Sequence, residues 1–129
     1  KLAVNACINP VTALLECRNG ALLSDPHARA LLEDLCGETS AVLQALHERE
    51  SPLSMDVSRA ALLAGALDVA ARTAANASSM QQDVALRRPT EIDFISGYLL
   101  RLASEYEVEM PRTKVLTQLI KAKGAVAAV

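Results

Sequence analysis

Residues 1–23 read KLAVNACINPVTALLECRNGALL, an apolar run interrupted at every fourth position by Lys1, Asn5 and Asn9. The apolar residues between them recur with helical rather than alternating spacing, so the stretch reads as a helix from Lys1 to about Cys17. An α-helix turns once in about 3.6 residues, which places positions four apart on one edge, about a turn from each other. Lys1, Asn5 and Asn9 therefore share a polar edge on a mostly apolar helix. An ammonium only donates hydrogen bonds, whereas a carboxamide both donates and accepts. Together they suit a small ligand carrying a carboxylate and carbonyl or hydroxyl oxygens. The competing interpretation is a solvated helix face. Pro10 withholds the N–H that the Ala6 carbonyl would receive, so a bend and a freed carbonyl are expected there. Asn19 and Gly20, residue types that tolerate the left-handed conformation, are expected to close the helix.

The same periodicity continues to the end of the chain with no alternating strand pattern, which makes the expected fold all-α. A second helix should start with Ser24 or Asp25 as its cap and Pro26 in its first turn, burying Leu31, Leu32, Leu35, Val42, Leu43 and Leu46, with Gly37 weakening its middle. After the linker Glu50 to Ser54, Ala60, Leu63, Leu67, Ala70 and Ala74 predict a helix with a small-residue face. Ser78 and Gln81 have capping-box spacing ahead of a short helix. Beyond Pro89, Thr90, Glu91 and Asp93 suit a helix start, and Ile92, Ile95, Tyr98, Leu99 and Leu102 form its expected core face, leaving Glu91 at its mouth. Val115, Leu116, Leu119 and Ile120 mark a last helix beyond Pro111, followed by a small-residue tail, Gly124 to Val129, expected to fray.

With 129 residues, about half of them hydrophobic, the chain suffices for a single domain with its own core. A net charge of −2 and no basic run longer than Arg87-Arg88 argue against nucleic acid or anionic lipid as a partner. The aromatic residues, Phe94, Tyr98 and Tyr106, are too few for a base-stacking platform. Cys7, Cys17 and Cys36 show neither CxxC spacing nor an even count, so no disulfide framework or metal site is expected, and a reducing, cytoplasmic setting fits. His27 and His47 read as surface or satisfied helix residues, too few to hold a metal alone. The longest apolar run, Ala60 to Leu67, is far below the roughly 18 residues of a membrane span, and no signal peptide is expected. Lys1 opens a helical pattern with neither an initiator methionine nor a cap before it, so the chain reads as part of a longer protein whose first turn should fray.

Two blocks carry a family resemblance: residues 1–23 and NASSMQQDVALRRPTEIDFISGYLLR at 76–101. In order and separation they resemble the C-terminal domain of ketopantoate reductase (2-dehydropantoate 2-reductase). The middle of the chain matches in helical character more than in residues. The resemblance implies an all-helical substrate-binding domain, related to the helical domain of 6-phosphogluconate dehydrogenase. It also implies an N-terminal Rossmann domain, absent from this chain, that binds NADPH. It implies that Lys1 is the catalytic lysine, that Asn5, Asn9 and Asn19 contact substrate, that Asn76 and Ser79 surround it with Ser79 toward its carboxylate, and that Glu91 borders the cofactor and substrate cleft.

Each position also has a purely structural interpretation: Asn19 as a helix terminator, Ser79 as a cap, Glu91 as a complement to a helix N-terminus. For function, the resemblance implies reduction of 2-dehydropantoate to (R)-pantoate in pantothenate and coenzyme A synthesis, with this chain inactive by itself. The alternatives are a reductase of another 2-oxo acid and a non-enzymatic helical assembly module. Expected partners are the small 2-oxo acid, the Rossmann domain and a second copy, since apolar surface on the first helix would be uncovered without that domain.

Overall fold

The computed structural model describes residues 1–127, which form seven helices and no strand. They are α1 (Leu2–Leu15), α2 (Ala21–Ser24), α3 (Pro26–Arg49), α4 (Arg59–Arg72), α5 (Ser79–Ala85), α6 (Ile92–Glu105) and α7 (Pro111–Ala127). The all-α expectation holds. α1 is the central element and packs against α3, α4, α5, α6 and α7. One of its faces, Ala3, Cys7, Ile8 and Val11, meets Leu22, Leu32, Leu35, Cys36, Leu62, Ala66 and Leu116. Ala6 and Ala13 point to the other half of the core, with Val42, Met80, Ile92, Leu99 and Ile120. A helix apolar over most of its circumference is thus explained by burial on two sides. The first helix is therefore no uncovered apolar face: only Leu2 and Leu15, at its ends, are exposed large hydrophobics.

Helix starts follow local chemistry. Asp25 caps α3 by accepting from the Ala28 N–H at 2.7 Å, with Pro26 in the first turn, where no N–H is missed. Ser58 caps α4 and Ser78 caps α5, through the N–H groups of Ala61 and Gln81. The reciprocal bond of a capping box, from the Ser78 N–H to the Gln81 side chain, is not formed among the described residues; Gln82 instead donates to the Ala77 carbonyl at 3.1 Å. Gly37 leaves α3 unbroken, and α1 runs without interruption through Pro10.

Several boundaries and faces differ from expectation. α1 ends at Glu16, a left-handed residue with φ 52°, where the Cys17 N–H returns to the Thr12 carbonyl. Asn19 and Gly20 instead bind a remote segment. Their N–H groups donate to the Asn76 and Ala74 carbonyls, pinning the turn before the short, unforeseen α2 onto the α4–α5 linker. A side chain on Gly20 would lie 3.0 Å from both the Cβ and the carbonyl oxygen of Ala74, so glycine there permits close approach.

The buried row of α4 is Leu62, Ala66 and Ala70; Ala60 faces solvent and Ala74 lies beyond the helix. On α6 the core arc is centred on Ile92, Leu99 and Ala103, which puts Tyr98 about 120° away and leaves it exposed. On α7 the buried row is Thr113, Leu116, Thr117 and Ile120, with Val115 and Leu119 outside. The helix carries on through Ala127 where fraying was expected from Gly124; residues 128 and 129 lie outside the described range.

Candidate functional site

The polar edge of α1 descends from the surface into the core. Lys1 is exposed, Asn5 half-buried and Asn9 6% exposed. Thr12 falls on the same edge three residues later and is fully buried. A solvated face cannot account for this gradient, since its lower half has left water. Among the described residues no side-chain hydrogen bond engages Asn5 or Asn9, which leaves the hydrogen-bonding capacity of both carboxamides unused. Thr12 forms the floor. Its hydroxyl lies 2.8 Å from that of Ser78, the cap of α5, and so locks the start of α5 against the lower end of the edge.

That lock positions the other residues. Ser79, directly after the cap, is exposed on the first turn of α5, and Asn76 is exposed just before it. The Asn76 backbone carbonyl accepts from Asn19, whose own side chain is 6% exposed and donates through Nδ2 to Thr73 Oγ1 at 2.9 Å. The edge is therefore tied to 76–79 through Thr12 and Ser78, and Asn19 to the same segment through its backbone.

The purely structural roles are mostly taken by other residues. Glu16 terminates α1, so Asn19 does not. Ser78 caps α5, which leaves the Ser79 hydroxyl uncommitted. Glu91 sits at the start of α6 and is exposed, but its side chain makes no capping bond. Lys1 and Glu91 form no ion pair with each other or with other described residues, so Glu91 does not hold the ammonium in this structure. Thr12, Ser78 and Thr73 went unrecognised as members of the site. The i,i+3 spacing from Asn9 to Thr12 was the available signal; nothing in the sequence pointed to Thr73.

Other groups behave structurally. Cys7 and Cys36 are wholly buried, and the neighbouring Cys36 thiol, together with burial, pushes the Cys7 thiol far above its ordinary range. His47 Nδ1 accepts from the Leu53 N–H, and Arg88 pairs with Asp83 at the end of α5. Among the described residues no group of three or more His, Cys, Asp or Glu could hold a metal, and no helix is long and apolar enough to cross a membrane. They also include no strand leading into a glycine-rich turn, the usual cradle of a dinucleotide.

Comparison with known proteins shows the family and the fold. Residues 1–124 match the pattern described as ketopantoate reductase PanE/ApbA C terminal. The chain belongs to the ketopantoate reductase family. The 2-dehydropantoate 2-reductase of Vibrio cholerae is 44% identical over 121 residues, covering 94% of this chain and 38% of that protein. The Yersinia pestis 2-dehydropantoate 2-reductase is 42% identical over 95% of this chain and 37% of its own length. This ketopantoate reductase domain thus spans less than two fifths of these curated relatives. A Bacillus subtilis crystal structure described as a probable 2-dehydropantoate 2-reductase superposes with a TM-score of 0.84 at 36% identity, over 95% of this chain and 38% of that one. D-mandelate dehydrogenase with NADH and anilino(oxo)acetate superposes at 0.85 with 26% identity, over all of this chain and 51% of the other. As the relatives' C-terminal part, this chain has an all-helical fold for which family membership and structural likeness agree.

Proposed function

We propose that this chain is the substrate-binding helical domain of an NADPH-dependent reductase that converts 2-dehydropantoate to (R)-pantoate, a step toward pantothenate and coenzyme A. The observation that carries the proposal is the buried polar edge: an ammonium at its open end, two unbound carboxamides below and a hydroxyl floor locked to α5. NADPH, held mainly by an N-terminal Rossmann domain, supplies the hydride. As the carbonyl carbon is reduced, negative charge grows on its oxygen. The Lys1 ammonium neutralises that charge and gives up a proton to make the new alcohol. Asn5, Asn9, Asn19 and Asn76 orient the substrate with neutral hydrogen bonds, and the Ser79 hydroxyl receives its carboxylate. Glu91 accepts from the cofactor or substrate at the rim.

In this reading the isolated chain is inactive, and measurable ketopantoate reduction by it would overturn that point. The test is NADPH oxidation with ketopantoate by the protein extended upstream through the dinucleotide-binding part. Lys1→Ala should lower kcat about 10²- to 10⁴-fold. An unchanged kcat would remove Lys1 from the mechanism, and no turnover would favour the assembly-module alternative. The likeness to D-mandelate dehydrogenase supports a second reading, reduction of another 2-oxo acid, which a substrate profile of the extended protein separates.

The Rossmann domain and a second copy of the chain are the proposed protein partners. Phe94 at 78% and Tyr98 at 41% exposure on α6 supply apolar surface for such contact. Concentration-dependent sedimentation that Phe94→Ser abolishes would support self-association through α6; a monomer at high concentration would exclude it.

A further inference from the structure

We infer that Thr73 is a positioning residue that sets the orientation of the Asn19 carboxamide, with its oxygen directed away from Thr73, and that the pair thereby selects 2-oxo acids bearing a hydroxyl group. A single proton sets this arrangement. The Thr73 hydroxyl donates its hydrogen to the Val69 carbonyl at 2.6 Å, an oxygen that can only accept. Toward Asn19 it has only lone pairs left, so the carboxamide must present its NH2 group there, as it does at 2.9 Å. The other choice would set two oxygen acceptors against each other. Backbone bonds from Asn19 to Asn76 and from Gly20 to Ala74 fix the main chain, so the carboxamide cannot escape the constraint by moving away.

The consequence falls on Asn19 Oδ1. It is buried and has no hydrogen-bond partner among the described residues. Buried carboxamide oxygens are nearly always paired, so this one calls for a donor from outside. The inference rests on the reading of Asn19 as a substrate contact. A 2-oxo acid ionised at neutral pH has only acceptors in its carboxylate and keto groups. In 2-dehydropantoate the lone donor is the 4-hydroxyl, and the unpaired oxygen that Thr73 holds away from itself is a partner for that hydroxyl. A site whose buried acceptor is satisfied only by a hydroxyl rejects the analogue that lacks it.

The test compares Thr73→Val and Thr73→Ser in the upstream-extended reductase, with 2-dehydropantoate and its 4-deoxy analogue, 3,3-dimethyl-2-oxobutanoate, as substrates. Thr73→Val should lower the preference for the hydroxylated substrate, as the ratio of kcat/KM values, about tenfold or more. The loss should lie mainly in KM for 2-dehydropantoate, and Thr73→Ser should restore it. An unchanged ratio, or equal losses on both substrates, would overturn the inference and reduce Thr73 to a structural role. NMR of the Asn19 side-chain amide in this chain alone reads the geometry without turnover. Its NH2 protons should be protected from exchange in the parent and in Thr73→Ser and exposed in Thr73→Val. Protection there with no reduction of either 2-oxo acid by the extended protein would discard the reductase reading and the selectivity while keeping the Thr73–Asn19 geometry. No change in protection would discard the positioning role itself.

Discussion

Glu38, in the middle of α3, caps α7 from 75 residues away: its Oε1 accepts from the Thr113 N–H at 2.9 Å and from the Thr113 hydroxyl at 2.8 Å. Oε2 takes the Arg112 N–H at 3.0 Å, so the carboxylate serves two of the N–H groups that a helix start leaves unpaired. A carboxylate at a helix N-terminus is favoured further by the helix dipole. Glu38→Ala should therefore cost about 2–3 kcal/mol in urea unfolding, because it strands buried donors as well as removing bonds. Glu38→Gln should cost less. Equal stability of Glu38→Ala and the parent would show that water replaces the cap.

The Thr12–Ser78 hydroxyl pair joins α1 to α5 at the floor of the site. Ser78→Ala should cost about 1–2 kcal/mol because the α5 cap is lost as well, and Thr12→Val about 1 kcal/mol. In the double variant the losses should fall short of their sum by roughly 1 kcal/mol. Strict additivity would mean that the pair contributes nothing of its own.

Gly20→Ala should destabilise by about 1–3 kcal/mol, since the new methyl meets Ala74 at 3.0 Å and the turn is pinned on both sides. Ala74→Gly in the same chain should recover only part of the loss, because the Ala74 carbonyl oxygen stands at the same 3.0 Å. Thermal melts of the parent and the two variants check this. Full recovery would assign the whole clash to the Ala74 side chain.

The thiols should divide into two classes under native alkylation. Cys17 is partly exposed and reacts, whereas Cys7 and Cys36 react only on unfolding. Burial pushes the Cys17 thiol above its ordinary range, so less of it is thiolate at a given pH. Its rate at pH 8 should lie below that of a free cysteine and keep rising with pH after the free thiol has levelled off. A rate equal to free cysteine at pH 8 would contradict that assignment.

The sequence by itself determined the elements that depend on neighbours in the chain. Asp25-Pro26 and Ser78 start helices because cap and N–H lie within three residues of each other. The Lys1, Asn5, Asn9 edge was legible because helical geometry alone brings those positions together. Tertiary structure decided the rest. It stopped α1 at Glu16 rather than at Asn19, whose N–H had a partner in Asn76. It turned Tyr98 outward, because the arc that buries Ile92, Leu99 and Ala103 is set by the helices packed on α6. The Glu38, Thr12–Ser78 and Thr73–Asn19 contacts span 75, 66 and 54 residues. No local preference encodes such pairings, since each exists only once packing against α1 and α3 has brought remote segments within about 3 Å of each other.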